Sequence, residues 1–140
     1  MLKLQQLQFE HKPEENKFGD CWRASIACLL HLPVETVPNP YENGLVPYEV
    51  GEKILNEFLS GFNLRLIEFP LSDGVSTDFG RMLGPDVHWF LLGQSSAGKH
   101  NHFVIVRGEE IVHSTSPATV IGPDLETGLY WAAMLVYHRD

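Results

Sequence analysis

The spacing of apolar residues changes about halfway along the chain, and this change most constrains the fold. In the first half, apolar residues recur three or four positions apart in "DCWRASIACLLH" and "PYEVGEKILNEFLSGFN", which predicts two helices. From Leu64 onward, β-branched and aromatic runs are bounded by Gly, Pro, Ser or Asp, which predicts strands. Helices followed by strands predict an α+β fold with a mostly antiparallel sheet.

The element boundaries follow from capping and breaking residues. Asp20 can cap the first helix, and the apolar residues behind it are dense enough for a helix buried on most of its surface. One further turn fits from Pro33 to Val37, and the second helix opens at Pro47 and closes at Ser60–Gly61. A short helix is predicted in "STDFGRML", and strands are predicted at 64–69, 87–93, 102–107, 110–114 and 129–137.

Size and charge limit the class of protein. A chain of 140 residues predicts one domain over residues 1–140. The net charge of -8, with only 10 Lys and Arg residues, argues against nucleic-acid binding. The N-terminus lacks the apolar core of a signal peptide and no run is long enough to span a membrane, so a cytoplasmic protein with no membrane partner is predicted. The oligomeric state is left open.

The two cysteines lie on the first predicted helix. Cys21 and Cys28 are separated by about 10 Å along a helix at ~1.5 Å per residue, which exceeds the separation a disulfide allows. Both are therefore predicted to be thiols, as expected in a reducing compartment. Cys28 lies among apolar residues in mid-helix and is predicted to be core.

Cys21 has a different position, because it follows a glycine–aspartate turn and begins the helix. The positive end of a helix dipole favours a thiolate. Gly19 allows a tight turn that exposes the sulfur, while Ala24 and Ser25 keep the first helical turn narrow. Two readings remain open: Cys21 is a nucleophile, or it is a small buried hydrophobe.

A thiol hydrolase needs a general base, for which histidine is the usual residue at neutral pH. Among the seven histidines, His102 begins the most hydrophobic strand, directly after the loop "GQSSAGKHN". A rigid strand can hold an imidazole in place while the loop admits substrate. A zinc site of His100, His102 and His113 is the alternative, but no cysteine or acidic residue lies beside them, and no metal is predicted.

Two stretches resemble the papain-like cysteine peptidases, in particular small phage and bacterial members. "GDCWRASIACLLHLPVETVP" resembles their nucleophile helix, and "GQSSAGKHNHFVIVRGEEIVHSTSP" resembles their histidine hairpin. The resemblance implies a papain-like fold, in which the nucleophile helix packs on a mostly antiparallel sheet. It also implies a thiolate at Cys21, a general base at His102, and an oxyanion hole formed by the Cys21 N–H and the Asn16 side chain, with no cofactor. Further substrate contacts are assigned to Gly19, Asp20, Trp22 and His100, with anchoring of the helix as the alternative for Trp22.

The residue that orients the histidine departs from the family pattern. Papain-like enzymes use Asn or Asp, whereas this chain reads His113-Ser114-Thr115, so alignment assigns the position to Ser114. A two-residue turn at Gly108–Glu109 instead puts Thr115 opposite His102, and a bulge or a three-residue loop would restore Ser114. A carboxylate from elsewhere is the remaining alternative, with Asp86, Asp124 and Glu126 as candidates.

The predicted function is a cysteine-dependent hydrolase of the peptidase, amidase or isopeptidase type, with a peptide or amide-bearing substrate. Two alternatives remain. One is a weakly active or inactive papain-like binding protein, such as a phage factor that acts on a host component in the host cytoplasm. The other is a transglutaminase-like acyl transferase that uses the same residues.

Overall fold

The computed structural model describes residues 21–40, 47–71, 77–114 and 118–137. These ranges contain helices first and strands mainly afterwards, which confirms the predicted α+β class. The helices are α1 (Cys21–Leu30), α2 (Tyr48–Ser60) and α3 (Thr77–Leu83), with a 3-10 turn at Val34–Thr36. The strands are β1 (Leu64–Leu71), β2 (His88–Ser95), β3 (Asn101–Arg107), β4 (Glu110–Ser114), β5 (Val120–Gly122) and β6 (Tyr130–Tyr137).

The chain divides into two compact units. One contains the described residues up to Leu66 together with those from Leu135 onward, and the other runs from Ile67 to Met134. The first unit therefore carries α1, the 3-10 turn and α2. The second carries α3, strands β2 to β5, and most of β1 and β6.

Helix α1 ends in a left-handed residue. The His31 N–H donates to the Cys28 carbonyl at 3.3 Å, and the Leu32 N–H donates to the Ala27 carbonyl at 3.0 Å. This pair of bonds is the Schellman motif, which requires a left-handed residue at the first position past the helix. His31 takes this conformation with φ 57°, where glycine is the usual residue.

The strands form one six-stranded sheet in the order β1-β6-β2-β3-β4, and β5 pairs with β2 beyond that path. The pairings of β2 with β3, β5 and β6, and of β3 with β4, are all antiparallel, so the predicted antiparallel sheet is confirmed. In the β2–β3 hairpin, Trp89 pairs with Val106 and Gly93 pairs with His102. Strand β5 was not predicted, because three residues are too few to show an alternating pattern.

The core of the second unit lies on one face of the sheet. Trp89 is fully buried there, its ring meets Phe79 of α3 edge-on at 5.0 Å, and its indole N–H donates to the Gly108 carbonyl at 2.9 Å. Helix α3 approaches the sheet closely at Gly80, where a Cβ would overlap the Gly108 carbonyl. The buried residues of this cluster are Trp89, Leu91, Val104, Val106 and Ala132.

The described helices are all too short or too polar to cross a lipid bilayer.

Candidate functional site

Cys21 is the first residue of α1 and belongs to the first compact unit. Its side chain is half-buried, whereas Cys28 is fully buried, as predicted for a core residue. Both cysteines are thiols, which confirms the prediction from their spacing. Trp22 is 2% exposed, so its indole lies in the interior. Asn16, Gly19 and Asp20 lie outside the described residues, and their predicted roles stay predictions.

His102 and Ser114 belong to the second unit, where the register of β3 against β4 brings them together. Arg107 pairs with Glu110 across a two-residue turn, as predicted. A bulge then shifts the register between Ile105 and Val106, so that Val104 pairs with Ser114. Paired residues share a face of the sheet, and so do residues two apart on one strand. The bulge therefore puts Ser114 on the face of His102, as one of the two predicted alternatives requires.

A chain of hydrogen bonds fixes the protons of this pair. His102 Nε2 lies 2.7 Å from Ser114 Oγ, and Ser114 Oγ lies 2.6 Å from the Ala118 carbonyl oxygen. A carbonyl oxygen can only accept, so the single hydroxyl proton of Ser114 is donated to Ala118. Ser114 Oγ must then accept from His102 Nε2–H. The neutral ring carries its proton on Nε2, which leaves Nδ1 as an unprotonated base.

The surroundings keep this imidazole neutral. His102 is only 4% exposed. Burial, and secondarily the nearby charge of His100, lower the pKa of His102 from its ordinary value of 6.5 to about 4. At neutral pH the ring can accept a proton, and its partner Ser114 supplies a hydrogen-bond acceptor but no negative charge.

The arrangement also decides which of the two side chains is the better nucleophile candidate. A serine nucleophile must donate its proton to the histidine, whereas the proton of Ser114 goes to Ala118. Ser114 therefore holds the ring by a hydrogen bond and is a poor candidate for a nucleophile. The lone pair of His102 Nδ1 can then accept a proton from a nucleophile other than Ser114.

The other candidates for the orienting position are placed as follows. Asp86 binds Arg107 at 2.8 Å, at the far end of β3 from His102. Asp124 accepts from the Glu126 N–H at 2.9 Å, which closes a local turn. Thr115 lies outside the described residues. Within the described ranges, no three His, Cys, Asp or Glu side chains are grouped to hold a metal ion.

Two groups at this site were missed by sequence reasoning. The Ala118 carbonyl is a backbone atom, and no side-chain pattern indicates its position. In the sequence Ser96 is only one residue of the loop "GQSSAGKHN", yet its backbone and hydroxyl both bind Thr119, next to Ala118. By contrast, an open depression of about 550 Å³ lies beside the Gly108 turn, at the opposite end of β3 from His102.

Comparisons with family models, with curated proteins and with solved structures give no match to this chain.

Proposed function

We propose that the protein is a thiol hydrolase that cleaves an amide or isopeptide bond by acyl transfer. Cys21 Sγ attacks the carbonyl carbon, and His102 Nδ1 accepts the thiol proton. The tetrahedral intermediate collapses, His102 returns the proton to the leaving amine, and a thioester to Cys21 remains. Water then attacks the thioester, again with His102 as the base, and releases the acid. Peptides or other amide-bearing molecules are the proposed substrates.

The proton arrangement around His102 is the observation that carries this proposal. The Ser114 hydroxyl accepts from Nε2–H while it donates to Ala118, which leaves Nδ1 as the acceptor. A general base has to be unprotonated at the working pH, and a pKa of about 4 keeps His102 in that form, although it also makes the ring a weaker base than an ordinary histidine. The half-buried thiol at the start of α1 is the proposed source of the proton.

The proposal includes a papain-like arrangement of the chain. In that fold, the helix that carries the nucleophile packs on the sheet that carries the histidine. Cys21 Sγ and His102 Nδ1 must then come within hydrogen-bond reach, about 2.6–3.2 Å or somewhat more without substrate.

Selective alkylation tests the nucleophile. Native protein is treated briefly with iodoacetamide at pH 7, and the intact mass is measured. We expect a single addition, at Cys21. An activated thiol reacts within a brief treatment, whereas an unactivated thiol with a pKa near 8.5 reacts slowly at this pH. Cys28, which is fully buried, serves as the internal control. Cys21→Ala should abolish the addition, and His102→Ala should slow it.

Hydrolysis of a mixture of fluorogenic peptide amides tests the reaction itself. Cys21→Ala and His102→Ala should both lose the activity, and Ser25→Ala, on the same helix, is the control for an α1 substitution. Full hydrolysis by the Cys21→Ala protein would refute the proposal.

A non-catalytic binding protein is the second candidate, and the uncharged partner of His102 favours it. A hydroxyl stabilises an imidazolium less than the Asn or Asp of papain-like enzymes does with its stronger dipole or charge. In this case Cys21 would react with iodoacetamide no faster than an ordinary thiol, and no variant would change hydrolysis. A transglutaminase-like transferase would instead give an amide product when a primary amine is added to the peptide assay.

A further inference from the structure

The segment that contains Ala118 and Thr119 is held to the β2–β3 loop by a reciprocal pair of hydrogen bonds. The Ser96 N–H donates to the Thr119 carbonyl at 2.8 Å. The Thr119 N–H donates in return to Ser96 Oγ at 2.9 Å. Ser96 therefore fixes the backbone of Thr119 from both sides, and with it the peptide unit that carries the Ala118 carbonyl.

That carbonyl decides where the protons of the His102–Ser114 pair lie. The distance between His102 Nε2 and Ser114 Oγ, 2.7 Å, suits a hydrogen bond in either direction. With the Ala118 carbonyl 2.6 Å away, the Ser114 proton points to Ala118 and the ring donates. Without the carbonyl, Ser114 can donate to Nε2 instead. The ring proton then lies on Nδ1, and that nitrogen is no longer a base.

We infer that Ser96 is a positioning residue for His102: by holding Thr119 it keeps the Ala118 carbonyl against Ser114, and so selects the ring tautomer with Nδ1 unprotonated. The tautomer is a property of the fold, and only its use in catalysis rests on the proposed function. The relay runs from Ser96 through Thr119, Ala118 and Ser114 to His102, entirely within the second compact unit.

The expected size of the effect follows from the bonds involved. Ser96→Ala removes the hydroxyl that accepts from Thr119, but keeps the backbone bond to the Thr119 carbonyl. The Ala118 carbonyl is then held less firmly, and the preference for one tautomer weakens. Loss of one neutral hydrogen bond corresponds to a change of roughly three- to tenfold in the ratio of the two tautomers.

Nuclear magnetic resonance of protein labelled with ¹⁵N-histidine measures this ratio directly. Long-range ¹H–¹⁵N correlation spectra at pH 7.5 distinguish a protonated from an unprotonated ring nitrogen, and the His102→Gln spectrum assigns the signals. The unsubstituted protein should show His102 with Nε2 protonated and Nδ1 unprotonated. In Ser96→Ala, the averaged Nδ1 signal should move toward the protonated position.

Two control variants separate the relay from a general loss of structure. Ser96→Thr keeps the hydroxyl and should restore the original His102 signals. Ser60→Ala removes an exposed hydroxyl that binds the Glu57 carbonyl in the other compact unit, and should leave the His102 signals unchanged. Two results would overturn the inference: a proton on Nδ1 in the unsubstituted protein, or His102 signals in Ser96→Ala identical to those of the unsubstituted protein.

The response to Ser96→Ala can be separated from the proposed function, whereas a proton on Nδ1 in the unsubstituted protein would count against both. If the tautomer and its response to Ser96→Ala are as expected while Cys21→Ala retains hydrolysis, the relay stands and the thiol mechanism fails. If Cys21 is required but the tautomer does not respond, the mechanism stands and the role of Ser96 is wrong.

Discussion

Ser114 is the residue on which the candidate site most depends. Its hydroxyl accepts from His102 and donates to Ala118 at the same time, which a single hydroxyl group can do. Ser114→Ala removes both bonds and leaves the imidazole without an orienting partner. Positioned general bases contribute about 10²–10⁴-fold to rate, so if the protein is the proposed hydrolase we expect kcat to fall by about tenfold or more.

The matched variant for this prediction is Ser114→Thr, which keeps the hydroxyl and adds a methyl group suited to a strand. It should retain most of the activity in the peptide-amide assay. KM should change little in either variant, because Ser114 acts through His102. Equal kcat values for Ser114→Ala and the unsubstituted protein would show that Ser114 does not orient the base.

His31 offers a test of backbone strain at the end of α1. It is exposed and adopts φ 57°, a conformation that costs a residue with a Cβ roughly 1–2 kcal/mol relative to glycine. His31→Gly should therefore raise the free energy of unfolding by about 1 kcal/mol in urea denaturation, part of the gain being offset by the greater freedom of glycine in the unfolded chain. His31→Ala keeps the Cβ and should give no such gain. A stabilised alanine variant would mean that the histidine side chain, rather than the backbone, is unfavourable.

At the level of elements, the contact of α3 with the β3–β4 turn depends on Gly80. A Cβ at this position would overlap the backbone carbonyl of Gly108, which also accepts from the Trp89 indole. Backbone atoms cannot move aside as a flexible side chain can, so α3 would have to shift. We expect Gly80→Ala to lower the free energy of unfolding by about 1–3 kcal/mol, the usual cost of overpacking.

Gly61→Ala is the matched control for Gly80→Ala. Gly61 follows α2 with φ -64°, and its nearest contact to an added Cβ is an ordinary 3.4 Å. This substitution should change the unfolding free energy by less than about 0.5 kcal/mol, as surface changes usually do. Equal losses in both variants would indicate that the close approach of α3 is not required.

The elements were predictable from the sequence to the extent that side chains determine them. The apolar period of α1 and the β-branched run of β3 gave their positions to within about two residues, because each buries most of its side chains. The bulge opposite Ile105 was predicted only as one option, since an extra residue in a strand leaves no mark in the hydrophobic pattern. The position of the Ala118 carbonyl and the hydrogen bonds between Ser96 and Thr119 depend on backbone atoms of Ala118 and Thr119, which have no sequence signal.

For the whole molecule, burial of His102 makes stability depend on pH. Its pKa is about 4 in the folded protein and 6.5 as an unperturbed side chain, so the unfolded chain binds more protons between these values. The stability contribution is complete above pH 6.5 and is lost as the pH falls toward 4, by about 2–3 kcal/mol from linkage. His102→Gln, which cannot titrate, should show a smaller loss in urea denaturation between pH 7 and pH 4.5. Parallel curves for the two proteins would contradict this.

Glu68, half-buried on β1, should act on stability in the opposite direction. Burial raises the pKa of its carboxyl from 4.5 to about 7, so the folded protein keeps a proton that the unfolded chain releases. Its contribution is complete below pH 4.5 and is lost as the pH rises through 7, and because solvent screens this half-exposed carboxyl we expect the loss to be only about 1–2 kcal/mol. Glu68→Gln should therefore gain stability relative to the unsubstituted protein as the pH is raised from 4.5 to 8, measured by urea denaturation at each pH.

Between pH 4.5 and 6.5, Glu68 and His102 change the free energy of unfolding with pH in opposite directions. Glu68→Gln and His102→Gln should therefore change the slope of the free energy of unfolding against pH in opposite directions. A change of slope in the same direction would show that one of the two groups titrates normally in the folded protein.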